Sequence, residues 1–238
     1  MAKSKIKLNA WAIIAALSFL YLAFAPYLSS LILNLFQDQP IHIMLVNFVK
    51  SIFNLGNTVN FLACLAVTIC VFTKIDAIGV TVACGLFWLT NLIALIKTIS
   101  ILAKYGLFLQ FLGSTFTEVL ELAVYFVMFA VGVWFTILFF MKKSAPVFAK
   151  IVAFLPAVIL LILFVIRFFG NTGNVITSLT NGSNFLYSFA MNSISTFNTF
   201  ALLLGFIAIA FKLANFKKKP KSTAEISEDV VVENVVAE

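Results

Sequence analysis

Long apolar stretches alternate with short polar breaks along almost the whole chain. A helix that crosses the hydrocarbon core of a bilayer needs about 20 mainly apolar residues. Six stretches are long enough, and they predict spanning helices at about residues 9–36, 43–73, 77–103, 115–141, 146–169 and 184–214. The fold class that we predict is therefore all-α, a polytopic integral membrane bundle of six transmembrane helices.

The breaks between these stretches are rich in residues that favour turns. Residues 171–184 combine Asn, Gly, Ser and Thr, and this composition predicts a polar loop before the last helix. The second stretch is too long for one straight span. We therefore expect its first half, residues 41–56, to lie in the membrane interface or to extend beyond the bilayer.

Composition supports a membrane protein. Hydrophobic residues make up 63% of the chain and charged residues 11%, whereas soluble domains are about half apolar and a quarter charged. A water-soluble domain of this size would leave too much apolar surface exposed. The three cysteines form no C-x-x-C pair and His42 is the single histidine, so we expect no disulfide framework, no metal site and no cofactor.

The distribution of lysine and arginine predicts the orientation. Alternating six spans places twelve of the sixteen cations on one side, together with both ends of the chain. The positive-inside rule assigns that side to the cytoplasm. We expect residues 1–214 to form a six-helix transmembrane domain and residues 215–238 a cytoplasmic charged tail that is disordered. Because the cations flank apolar spans, the expected partner is the lipid bilayer of a bacterial cytoplasmic membrane and not nucleic acid.

Sequence motifs of membrane-embedded enzymes are missing. The sequence has no G-x-S-x-G turn, no histidine pair for zinc and no Walker A loop. Only Asp38 and Asp76 supply aspartate to the membrane portion, which is too few for a metal-dependent lipid synthase. We therefore expect a protein that is not an enzyme.

Polar residues are concentrated in the predicted outer halves of three helices. An amide in hydrocarbon needs a hydrogen-bond partner or water, so these residues indicate either a polar cavity open to the outside or hydrogen bonds between packed helices. Both interpretations stay open at this point. The candidate ligand-binding residues are Asn54, Asn57, Asn60, Asn91, Lys97, Glu118, Glu121, Arg167, Asn192 and Asn198.

The four charged members of this set map to the outer boundary of their predicted helices. Lys97 and Arg167 would reach the interface by snorkelling there. If the fourth span begins near residue 115, Glu118 and Glu121 lie at a helix N-terminus, where the helix dipole stabilises negative charge. We predict that the two glutamates approach Lys97 or Arg167 and form a charged ring at the outer mouth of the cavity.

In general plan the chain resembles the substrate-binding subunits of energy-coupling-factor vitamin transporters, which have six helices and an outward pocket. Ala12 and Ala16 in the first helix resemble their paired-alanine motif. Two functions follow as hypotheses. The first is transport or binding of a small polar solute or ion through an outward-facing polar cavity. The alternative is a non-catalytic accessory or assembly subunit that binds other membrane subunits.

Overall fold

The computed structural model describes residues 10–36, 40–72, 76–105, 108–141, 143–182 and 185–215. The side chains of residues 76, 94, 97, 98 and 101–115 are outside this description, as is the tail from residue 216 onward. All regular elements in the described ranges are helices. They are α1 (Ala10–Leu35), α2 (Ile41–Ile52), α3 (Leu55–Val71), α4 (Asp76–Tyr105), α5 (Phe108–Phe140), α6 (Val147–Val152), α7 (Leu155–Thr180) and α8 (Phe185–Ala214).

Six long helices form a closed ring in chain order. Each of α1, α3, α4, α5, α7 and α8 packs against the next, and α8 closes the ring by packing on α1. Short connections join α3 to α4, α4 to α5 and α7 to α8, so these neighbours run antiparallel, while α2 lies between α1 and α3 and α6 lies between α5 and α7. The Lys212 ammonium donates a hydrogen bond to the Val71 carbonyl, which brings the C-terminal ends of α8 and α3 together. The ring encloses an axis that all six helices can reach.

Small residues allow the helices of this ring to approach closely. A Cβ atom on Gly132 of α5 would lie 2.5 Å from Thr81 Oγ1 of α4, and one on Gly205 of α8 would lie 2.8 Å from the Phe19 ring of α1. Gly79 is equally crowded against Cys70 where α4 meets α3. Close packing around small residues is how membrane helices gain van der Waals contact, since lipid provides no hydrophobic force between them.

The outer surface of the bundle is largely apolar, and several helices are long enough to cross a membrane. Four segments of the described chain qualify: α1, residues Phe116–Phe140 of α5, Val147–Thr180 and α8. The α2 and α3 helices qualify together as a fifth, bent by 59° at their junction. In α4 the apolar part with described side chains, Ala77–Ile93, is shorter. The predicted all-α class agrees with this architecture, and the described helices include four, or five with the bent pair, that are long and apolar enough to cross a membrane, against the six spans predicted.

Two helix boundaries differ from the sequence prediction. Helix α5 begins at Phe108 and not near residue 115, and α7 continues to Thr180 through the stretch predicted as a polar loop. In α7, the hydroxyls of Thr172 and Thr177 donate to carbonyls one turn earlier in the helix, at 2.7 and 2.9 Å. These hydroxyls are therefore satisfied within a helix, and the described turn residues after α7 are Asn181 and Gly182, the latter with φ +64°.

Candidate functional site

A polar cavity lies on the axis of the helix ring. Its volume is about 260 Å³, and every one of the six long helices contributes to its wall. The lining residues are Leu22, Ala25 and Pro26 of α1, Asn57, Asn60 and Cys64 of α3, Phe87 of α4, Glu121 and Tyr125 of α5, Arg167 of α7, and Asn198, Thr199 and Leu202 of α8. Five of the ten candidate residues therefore meet in one place: Asn57, Asn60, Glu121, Arg167 and Asn198.

Arg167 and Glu121 form an ion pair at the wall of this cavity. Arg167 Nη1 lies 2.6 Å from Glu121 Oε1, and it also donates to Thr199 Oγ1 at 3.0 Å. The two charged side chains remain 23% and 20% exposed. An ion pair in a membrane interior avoids the cost of two isolated charges. Three helices, α5, α7 and α8, are thus joined by charge-assisted contacts at one depth.

The depth of this pair corrects the expectation that the charges mark helix ends. Glu121 comes thirteen residues after the start of α5 at Phe108, and Arg167 comes thirteen residues before the end of α7 at Thr180. Glu121 therefore lies well inside α5 and does not cap it, and Arg167 pairs with Glu121 on the neighbouring helix. The predicted approach of a glutamate to Arg167 is present at Glu121.

Asn60 replaces a backbone hydrogen bond that Pro26 removes from α1. Pro26 has no backbone N–H, so the Leu22 carbonyl four residues earlier lacks its helical donor. Asn60 Nδ2 of α3 donates to that carbonyl at 3.0 Å. Its Oδ1 lies 3.9 Å from the Cys64 sulfur. The proline and the asparagine together place a polar group on the cavity wall where two helices meet.

Asn57 and Asn198 combine a structural bond with a position on the cavity. Asn57 Nδ2 donates to the backbone carbonyl and to the hydroxyl of Ser51, at 2.9 and 3.0 Å, and so bridges the bend between α2 and α3. Asn198 Oδ1 accepts from the Tyr21 hydroxyl at 3.0 Å, which links α8 to α1. Both amides are therefore oriented by neighbouring helices at the cavity wall.

Three other candidate asparagines lie away from the axial cavity. Asn54 is exposed and forms the N-cap of α3, accepting from the Asn57 backbone N–H at 3.2 Å. Asn91 Nδ2 donates to the Phe87 carbonyl one turn earlier, at 2.8 Å. Asn192 does the same with the Ser188 carbonyl at 2.7 Å. These side-chain amides form a helix cap and bonds within their own helices, which neither the cavity interpretation nor the packing interpretation predicted.

The two remaining candidates are Glu118 and Lys97. Glu118 Oε2 is buried and has no hydrogen-bond partner among the described residues, and Glu118 does not line the axial cavity. The Lys97 side chain lies outside the described residues. Of the predicted ring of four charges, the described residues show one ion pair, between Glu121 and Arg167.

A second, larger groove of about 510 Å³ runs between α7 and α8, lined mainly by phenylalanine and aliphatic side chains. Beside this groove, Asn171 Nδ2 of α7 donates hydrogen bonds to the Asn192 carbonyl of α8 at 3.1 Å and to Thr196 Oγ1 of α8 at 2.8 Å. Further out, the Ser178 and Ser188 hydroxyls are 2.8 Å apart. These bonds form a polar ladder that ties α7 to α8, and the sequence analysis missed its α7 side because it placed that region in a loop.

Two hydroxyl-bearing residues of the cavity wall, Tyr125 and Thr199, are not among the ten candidates. Tyr125 lies one turn after Glu121 on the same face of α5, and Thr199 is 2% exposed beneath Arg167. Helical spacing from Glu121 was the signal for Tyr125. The described residues contain no group of three or more His, Cys, Asp or Glu side chains placed to hold a metal ion. The arrangement can offer hydrogen bonds and two opposite charges to a solute.

Comparison with known proteins returned no family model, no curated protein and no solved structure that matches this chain. The paired alanines that prompted the resemblance to vitamin-transporter subunits, Ala12 and Ala16, are both buried within the bundle. Function is therefore argued from the cavity itself.

Proposed function

We propose that this chain is a six-span membrane protein that binds a small polar solute in its axial cavity and carries that solute across the membrane, without catalysing a reaction. One observation supports this function above the others. All six long helices converge on a cavity that holds an ion pair and three asparagines. Helix packing alone gains nothing from keeping such a space open, because a void forfeits contacts on every wall.

The six-span arrangement rests on helix lengths and on the ring. Helix α4 has 30 residues, about 45 Å at 1.5 Å per residue, which exceeds the ~30 Å hydrocarbon core. If its neighbours α3 and α5 cross the membrane, antiparallel packing in the ring carries α4 across as well. The cation-rich loops of the chain then lie at one end, and the positive-inside rule supports a cytoplasmic position for both termini.

The depth of the cavity supports a transport site. Leu22 and Arg167 each lie twelve residues after the start of their helices at the cation-rich end, which corresponds to about 18 Å. Helix α7 continues for a similar distance beyond Arg167. The cavity therefore lies near the middle of the helices, and secondary transporters hold their substrates near the bilayer midplane.

Cavity size limits the solute. A volume of about 260 Å³ holds roughly nine water molecules at the ~30 Å³ that each occupies in the liquid. Sites for drug-sized ligands start at about 300 Å³. The size favours a compact solute that is smaller than a drug-sized ligand.

The alternative, a non-catalytic accessory subunit of a membrane complex, is favoured by the apolar groove between α7 and α8. Phe168, Phe189 and Phe197 on this groove are 47%, 52% and 64% exposed. A helix of another subunit would find aromatic contacts there. This role does not use the axial cavity, so the two functions make different predictions about what copurifies.

Native mass spectrometry of the full-length protein, extracted in mild detergent, distinguishes them. The transport proposal expects a small non-lipid molecule that is released when the protein is activated in the gas phase, at a stoichiometry near one per chain. The control is R167K, which keeps the charge but loses the planar donor fork, and it should carry less of that molecule. Recovery of a stable second subunit with no small molecule in either protein would refute solute binding and support the accessory role.

A further inference from the structure

We propose that the solute is a small zwitterion whose carboxylate binds Arg167 and whose ammonium binds Glu121. This inference rests on the proposed function and specifies the chemistry of the same cavity. It follows from which hydrogen-bonding atoms of the ion pair are already used and which are left over.

Arg167 has unused donors. A guanidinium carries five N–H groups, and both described partners of Arg167, Glu121 Oε1 and Thr199 Oγ1, contact the same nitrogen, Nη1. The three N–H groups on Nε and Nη2 have no partner among the described residues. Neither nitrogen is among the buried atoms that lack a partner, so both remain accessible. The Nε–Nη2 edge is a planar fork that fits the two oxygens of a carboxylate.

Glu121 has an unused acceptor. Its Oε1 is bonded to Arg167, while Oε2 has no described partner and is not buried. The Tyr125 hydroxyl, one turn further along α5, is likewise free of any hydrogen bond to the described residues. An ammonium group provides three donors and no acceptor. It therefore complements an anionic oxygen and a phenol that lie beside each other on α5.

Charge balance selects against ligands with a single charge. Arg167 and Glu121 together are neutral, so an anion bound to the fork would leave the cavity with a net negative charge. A cation bound to Glu121 would leave it positive. In the membrane interior an unpaired charge is costly, whereas a zwitterion brings one partner for each protein charge and leaves the total at zero. The volume of about 260 Å³ accommodates a molecule of amino-acid size.

The test is a binding screen on the full-length protein in nanodiscs. Thermal unfolding and calorimetric titration are run with the common L-amino acids and β-alanine, and in parallel with small carboxylic acids, primary amines and uncharged polyols of similar size. Each zwitterion that binds is then compared with two analogues of the same skeleton, the deaminated acid and the decarboxylated amine. We expect at least one zwitterion to bind, and both analogues to bind roughly tenfold more weakly or worse, since each loses charge-assisted hydrogen bonds.

Two variants separate the roles of the ions. E121Q removes the anion and leaves the cavity positive, so it should bind the deaminated acid at least as tightly as the zwitterion. R167K keeps the ion pair and loses the fork, so its affinity for the zwitterion should fall roughly tenfold or more while its melting temperature without ligand stays near that of the wild type. S178A breaks a bond of the α7–α8 ladder, away from the cavity, and should bind as the wild type does.

The outcomes are distinguishable. If a solute with a single charge or with none binds the wild type as tightly as any zwitterion, the zwitterion assignment is overturned while solute binding stands. If E121Q keeps the wild-type preference, the role of Glu121 is overturned in the same way. If no solute of any charge class binds, the proposed function falls together with this inference.

Discussion

The Leu22 carbonyl in α1 provides a quantitative test of how the bundle accommodates Pro26. Its helical donor is missing because proline has no N–H, and Asn60 donates to it at 3.0 Å from α3. Replacing Asn60 with Leu preserves approximate size and removes the donor. The Leu22 carbonyl then loses the described donor that replaces the missing proline N–H. We expect N60L to lower the free energy of unfolding by about 1.5 kcal/mol, the upper part of the range for hydrogen bonds between membrane helices.

A double-mutant cycle isolates this bond. P26A restores an N–H that can donate to Leu22 within α1, so N60L in the P26A background should cost only about 0.5 kcal/mol. The expected coupling between the two positions is therefore about 1 kcal/mol. Reversible unfolding in mixed micelles, titrated with a denaturing detergent and followed by circular dichroism, measures each corner of the cycle.

The matched control is N91L. Asn91 Nδ2 also donates to a carbonyl, that of Phe87, but this carbonyl already accepts the Asn91 backbone N–H within α4. N91L should therefore cost less than N60L, and its cost should be the same with or without P26A. If N60L is equally destabilising in both backgrounds, Asn60 does not compensate for the proline and the reasoning is wrong.

Two further predictions concern orientation and packing. Cysteines introduced at the exposed residues Asn181 and Ser144, each between two helices, should differ in intact cells. A membrane-impermeant thiol reagent should label N181C and not S144C, and the reverse pattern would contradict the proposed topology. G132A should destabilise the bundle by about 1–3 kcal/mol, because its Cβ would lie 2.5 Å from Thr81 Oγ1 on α4. G173A, where a Cβ meets nothing within 4 Å, should be neutral or stabilising by up to about 1 kcal/mol in the same unfolding assay. Equal effects of the two substitutions would refute the close α4–α5 approach.

The presence of long apolar helices that could cross a membrane was predictable because length and hydrophobicity are local properties of a sequence. The extent of α7 was not. Asn, Gly and Thr favour turns when they are considered locally, but here Asn171 donates across to α8 and the threonines bond within their own helix. Tertiary partners decide whether such a segment is a loop or a helix, and the sequence does not show those partners.

The composition of the candidate site was likewise predictable only in part. The approach of a glutamate to Lys97 or Arg167 was predicted from the sequence, and Glu121 pairs with Arg167. Asn60 and Asn91, however, look alike in sequence, each an amide in an apolar run. One reaches across to the backbone of α1 at the cavity, and the other bonds the preceding turn of its own helix. Only the order of helices around the ring separates these two cases.

The central claim, that the axial cavity is the solute site, is tested most directly by filling the cavity without changing any polar group. Ala25 is buried and lines the cavity, so A25L adds apolar volume beside the ion pair. A130L makes the same change at an exposed position of α5 and serves as the control. Titration calorimetry with the solute that binds the wild type should show loss of binding in A25L and unchanged affinity in A130L. Wild-type affinity in a folded A25L protein would contradict the account.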